Sequence, residues 1–209
     1  MQKFSAVVYT AGRTGSHLII RNLCDHYHVN QHFDYDTNIV DGIVHTHNPL
    51  YTPPSDNFIA IISRRQNLFD AILSMELTKI TNEFIDYSDK KITPYAIDLK
   101  KFESCYFYQK AFYQIIDTSK FKKVIDIFYE DLISNPDCLL EEFNFKFSIS
   151  LSKKSPYDYY NLITNIDELK KLYQTLEQTT ITDDQLAQFK KTVRQDLDDI
   201  RMNYNGNRP

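Results

Sequence analysis

Residues 7–23, Val7-Val8-Tyr9-Thr10-Ala11-Gly12-Arg13-Thr14-Gly15-Ser16-His17-Leu18-Ile19-Ile20-Arg21-Asn22-Leu23, decide the reading of this chain. They begin inside FSAVVYT (4–10), an apolar, β-branched run with the length of a buried strand. They end inside SHLIIRNLCDHYH (16–28), where Leu18, Ile19, Leu23 and Tyr27 give a helix an apolar face. The link is AGRTG, which holds two of the four glycines in the chain. A glycine loop running into a helix exposes successive N–H groups at the positive end of the helix dipole. The Thr14 and Ser16 hydroxyls and the Arg13 fork would add donors for an oxyanion. A tight turn alone would also call for Gly12 and Gly15, so this stretch leaves both readings open. The loop lacks the lysine of GxxxxGK[ST] and does not fit GxGxxG, which lowers the weight of a kinase or a dinucleotide enzyme.

Outward from this junction, strand, loop and helix recur. Ile39–Thr46 reads as a second strand, followed by His47-Asn48-Pro49 and the turn-rich YTPPSDN. Phe58–Ser63 reads as a third strand, leading into a helical pattern at Leu68, Ile72, Leu73, Met75 and Leu77. Aromatic and aliphatic residues at helical spacing predict a long helix over 95–117, its rings packed in the core. Lys123–Phe128 predicts a fourth strand, and Pro136 ahead of Leu139, Leu140 and Phe143 predicts a helix starting there. Helices are expected over 165–178 and, capped by Thr182-Asp183-Asp184, over 182–202. The expected architecture is an α/β, P-loop-NTPase-like three-layer fold, with a central, mainly parallel sheet flanked by helices. The expected organisation is one domain over 1–209, with 203–209 a frayed tail.

Composition narrows the function classes. Hydrophobic residues make up 42% and charged residues 25%, a globular balance, and no apolar run reaches the roughly 20 residues of a membrane span. Met1-Gln2-Lys3-Phe4 opens no signal-peptide pattern, so a cytoplasmic location is expected. Cys24, Cys105 and Cys138 are far apart and read as ordinary thiols. A net charge of -4 argues against nucleic acid as the partner, while a local basic pocket remains able to bind a small polyanion.

Two further constellations leave strands on the expected ligand edge. Ser63-Arg64-Arg65, with Ser74 on the following helix, would supply a second cationic subsite where a parallel sheet binds ligands, although an arginine pair is also common surface charge. In Val44-His45-Thr46-His47-Asn48-Pro49, a histidine at the mouth of an anion pocket is a candidate general base. His26, His28 and His32 lack a companion carboxylate pattern or HExxH spacing, so no metal is expected. GxSxG is absent, which disfavours a serine hydrolase.

These segments together resemble the sulfotransferases that use 3'-phosphoadenylyl sulfate, in the pattern of bacterial carbohydrate and nodulation-factor members. YTAGRTGSHLI is similar to the 5'-phosphosulfate loop: Arg13, Thr14, Gly15 and Ser16 match P-(R/K)-(S/T)-G-(S/T), with Gly12 in place of the proline. GIVHTHNP resembles K-T-H-x-P, with His47 matching the base and His45 replacing the lysine. IAIISRRQNLFDAILSM resembles the 3'-phosphate segment, with Arg65 and Ser74 as phosphate contacts and Arg64 as the alternative by one residue. YEDLISNP resembles the family's YEDL-x3-P, and KKSPYDYYNLITNIDEL a C-terminal stretch of its bacterial branch.

The resemblance implies transfer of a sulfuryl group from that adenine nucleotide to a hydroxyl acceptor, a small molecule or saccharide. His47 would be the base, Arg13 would stabilise charge on the transferred group, and Arg65 with Ser74 would hold the 3'-phosphate. Glu130 and Asp131 are assigned support, by capping a helix or orienting arginines. A noncatalytic nucleotide-binding or polysaccharide-associated module is the alternative, a small-molecule kinase a weaker one. The acceptor and the oligomeric state are not specified by the sequence.

Overall fold

The computed structural model describes residues 4–34, 36, 39, 41–81, 92–151 and 158–206. In chain order, β1 (Ser5–Thr10) leads to α1 (Ser16–Tyr27), then β2 (Gln31–Phe33), β3 (Gly42–Thr46) and β4 (Ile59–Arg64). Next come α2 (Leu68–Thr81), α3 (Leu99–Gln114), β5 (Lys123–Phe128), α4 (Tyr129–Ser134) and α5 (Leu140–Phe143). A 3-10 turn at Ile149–Leu151 precedes α6 (Tyr159–Leu162), α7 (Ile166–Glu177) and α8 (Asp183–Gly206). The strands form one sheet in the order β2-β3-β1-β4-β5, every pair parallel.

β1 lies at the centre because both of its faces are apolar. Ala6 and Val8 pack with Leu18, Ile19 and Leu23 of α1, and Ile61, Ile125 and Ile127 of neighbouring strands join that layer. Val7 and Tyr9 point the other way, with Val44 and Ala60, against Phe112 of α3. A further cluster ties α2 and α3 to α7 through Phe69, Ile72, Phe102, Tyr106, Leu169 and Leu176. Strands buried on both faces with helices on either side make a three-layer α/β arrangement. No helix among the described residues is long and apolar enough to cross a membrane.

Several boundaries differ from those predicted, each for a physical reason. β3 begins at Gly42, not residue 39, because its register partner Ser5 is where β1 begins. β2 carries no apolar alternation, and pairing with β3 alone makes Gln-His-Phe a strand. No helix starts at Pro136: α4 follows β5 directly and ends at Ser134, and Pro136 opens a turn before the four-residue α5. A proline shortly past a helix end stops it as readily as one inside the first turn starts it. α3 is shorter than 95–117, with the Asp98 carboxylate accepting from the Lys101 N–H at its start. Tyr95 instead bridges to Ile163. Thr182 and Gln185 cap α8 reciprocally, each side chain bonding the other's backbone N–H. α8 continues through residues 203–206, and 207–209 lie outside the described residues.

Candidate functional site

The chain leaves β1 toward β3 on one side and reaches β4 and β5 on the other, so the carboxyl ends of β1 and β4 flank a crevice where connections diverge. Open parallel sheets bind ligands at such a point. The 11–15 loop sits there. Gly12 (φ 94°), Arg13 (φ 56°) and Gly15 (φ 78°) are all left-handed. For Arg13 that conformation costs on the order of 1–2 kcal/mol, strain of the kind found where a loop is shaped for use. At Gly15 a β-carbon would run into the Tyr129 ring, so the glycine serves close packing as well as the turn.

A buried hydroxyl chain fixes the loop. Ser63 Oγ donates to the Thr14 carbonyl at 2.8 Å, which uses its hydrogen, so Thr14 Oγ1 donates to Ser63 Oγ at 2.9 Å. By the same logic the Thr10 hydroxyl donates to Thr14 at 2.6 Å, and Thr10 Oγ1 accepts the Gly12 N–H. The Thr14 hydroxyl, expected to face a phosphate, is thus committed to the loop's frame and is fully buried. From α3, Gln109 Nε2 donates to the Ala11 and Gly12 carbonyls, and the Tyr113 hydroxyl donates to the Ser63 carbonyl while accepting the Ala11 N–H. Burial pushes the Tyr113 phenol up to about 12, so it stays neutral.

Cationic groups converge on the loop. Arg13 Nε donates to Ser74 Oγ at 2.9 Å, so Ser74 meets Arg13, whereas the sequence paired it with Arg65. Arg65 reaches the Arg13 carbonyl at 3.4 Å, stacks on the Tyr129 ring at 4.7 Å and pairs with Glu130 at 2.6 Å. Burial alone would raise the Glu130 carboxyl, but the Gln66 N–H and the Arg65 charge outweigh it and hold the group ionised, below its usual range. Glu130 therefore orients an arginine, one of the two support roles expected. Arg64 is paired with Asp126 and stacked over Tyr113. A cleft of about 510 Å³ opens beside these arginines, lined also by Gln109, Lys110, Phe128 and Thr180.

On the other flank of the loop lies a histidine cluster. His47 Nδ1 donates to the Thr10 carbonyl at 2.9 Å, leaving the Nε2 lone pair as the proton acceptor. His45 Nε2 lies 3.2 Å from Ser16 Oγ, and its ring packs against His17 and His47 with centroids 5.2 and 4.8 Å away. Burial lowers the pKa of all three, that of His45 to about 3; for His47 the Thr10 bond and Asp34 partly counter it. Among the described residues no group of three or more metal-ligating side chains converges on a metal position. His26 instead stacks on Phe145.

The fold thus gathers Arg13, Thr14, Gly15, Ser16, Arg65, Ser74 and His47 at one sheet edge. Sequence reasoning missed His17, Asp34, Gln109, Tyr113 and Tyr129. The only signal for Gln109 was a polar residue inside an otherwise aromatic helical run. Comparison with family models, with curated proteins and with solved structures finds no match to this chain.

Proposed function

We propose that this chain is a sulfotransferase that moves a sulfuryl group from 3'-phosphoadenylyl sulfate to a hydroxyl acceptor, with a saccharide the favoured class. The observation that carries the reading is the double use of Thr10: its residue ends the strand that launches the arginine loop, and its carbonyl fixes His47 as a neutral base beside that loop. An anion seat and a proton acceptor are thereby held by one rigid strand end. The P-loop-like character of the β1–loop–α1 junction belongs to the same reading.

In this mechanism the acceptor O–H gives its proton to His47 Nε2 while its oxygen bonds to sulfur. The bond from sulfur to the bridging phosphate oxygen breaks, and its electron pair leaves on the phosphate. Arg13 and the N–H groups at the start of α1 stabilise that developing charge, a contribution that depends on orientation set before reaction. The nucleotide's far end fits the cleft over β4 and β5, where Arg65 supplies a donor pair for the 3'-phosphate and Phe128 and Tyr113 supply aromatic walls.

The test is transfer from sulfate-labelled donor to a panel of saccharides, with γ-labelled ATP in parallel. Label in a saccharide from the first donor supports the proposal. Tight nucleotide binding without transfer favours the noncatalytic module, and transfer from ATP alone favours a kinase.

A further inference from the structure

His45 is 3% exposed and Ser16 5%, and the contact between them at 3.2 Å is the single hydrogen bond the His45 side chain makes among the described residues. Its Nδ1 is buried with no partner. Such an orphan calls for an explanation, since buried polar atoms are nearly always satisfied. His17, His47 and Phe33 enclose the ring, so it stays neutral and carries one hydrogen.

That hydrogen has two possible seats. On Nδ1 it would be a buried N–H with no acceptor, and Ser16 would have to spend its own hydrogen on Nε2. On Nε2 it donates to Ser16 Oγ, and the orphan is only a lone pair. Orphaned N–H groups are the rarer and costlier kind, so the second arrangement prevails. The Ser16 hydroxyl then has its oxygen occupied and its hydrogen free to donate. Ser16 opens the twelve-residue α1, where the first N–H groups have no intrahelical acceptor.

We propose that His45 is a positioning residue whose Nε2–H fixes the Ser16 hydroxyl as a donor to a phosphate or sulfate oxygen seated at the start of α1. The inference rests on reading the 11–15 loop as an oxyanion seat. It adds a specific duty: a buried neutral imidazole tunes the grip without bringing a charge to it. A hydrogen-bond chain of this kind strengthens the terminal donor.

The experiment is calorimetric titration of the full chain with adenosine 3',5'-bisphosphate, for wild type, Ser16→Ala, His45→Ala, His45→Gln and the Ser16→Ala/His45→Ala pair. Each single alanine should weaken binding about tenfold, the double no further, because both remove one chain of bonds. His45→Gln, whose amide nitrogen sits near the position of Nε2, should stay within about threefold of wild type, well inside the value of one hydrogen bond. NMR of the ring nitrogens in the wild type should place the proton on Nε2, a readout independent of whether His45→Ala folds. Additive penalties, an unaffected His45→Ala, or a proton on Nδ1 would overturn the His45 role while leaving the oxyanion seat standing. No binding by wild type would overturn the seat itself, and the His45 role with it.

Discussion

His47 donates from Nδ1 to the carbonyl of Thr10 across 2.9 Å, which ties the ring of one strand end to the backbone of its neighbour. This bond selects the tautomer and aims Nε2 away from the sheet. His47→Ala should therefore lower the single-turnover transfer rate by roughly 10²-fold or more, with donor binding nearly unchanged. His45→Ala should lower it less. A His47→Ala rate within about twofold of wild type would send the search for the base elsewhere.

The pH dependence of that rate has a definite sign. Burial holds the His47 pKa below 6.5, so Nε2 is already unprotonated at neutral pH. The fall in transfer on acidification should therefore have its midpoint below pH 6.5. A midpoint at or above the 6.5 of an ordinary imidazole contradicts the assignment.

Arg65 should confer preference for a 3'-phosphate. Its guanidinium is held between the Tyr129 ring and Glu130, a preorganised fork. Arg65→Ala should remove most of the affinity difference between adenosine 3',5'-bisphosphate and adenosine 5'-phosphate, while Arg64→Ala, whose guanidinium is already paired with Asp126, should preserve it. Equal calorimetric affinities of wild type for the two nucleotides would refute a separate 3' subsite. Glu130→Gln should blunt the preference as well, by loosening Arg65.

Acid should destabilise the fold through His45. Its pKa drops from 6.5 in the unfolded chain to about 3 when folded, so the unfolded chain binds the extra proton as pH falls. Stability is therefore complete above about pH 6.5 and declines toward pH 3, by about 2 kcal/mol at pH 5. His45→Gln should flatten this slope in urea melts taken from pH 7 to pH 4. An unchanged slope would place the acid sensitivity on other groups.

Gly15→Ala should cost more stability than Gly12→Ala. Both positions are left-handed, and each carries a conformational penalty of about 1 kcal/mol for a non-glycine residue. Only at Gly15 does the new carbon strike the Tyr129 ring; at Gly12 the nearest atom is the Met75 sulfur, 4.0 Å away. The extra overpacking should add about 1–3 kcal/mol, measured by denaturant unfolding. Equal losses at the two glycines would mean that Tyr129 yields.

The sequence by itself determined the elements whose apolar pattern is locally clear. FSAVVYT, Phe58–Ser63 and Lys123–Phe128 lie at β1, β4 and β5, and SHLIIRNLCDHY is α1, because apolar periodicity is a local property that the core then uses. It also marked Arg13, Arg65 and His47, since a residue at the carboxyl end of a buried strand has few places to go. Only the tertiary structure decided the rest. The strand character of Gln31–Phe33 comes from pairing with β3, and the pairing of Ser74 with Arg13 from how α2 lies across the loop. The service of Gln109 and Tyr113 to the loop, the inward turn of Thr14 and the meeting of Ser16 with His45 join residues brought together by packing and strand pairing. Periodicity records which face of an element is buried. It does not record which polar groups that burial forces to find one another, and at this site those hydrogen bonds set the chemistry.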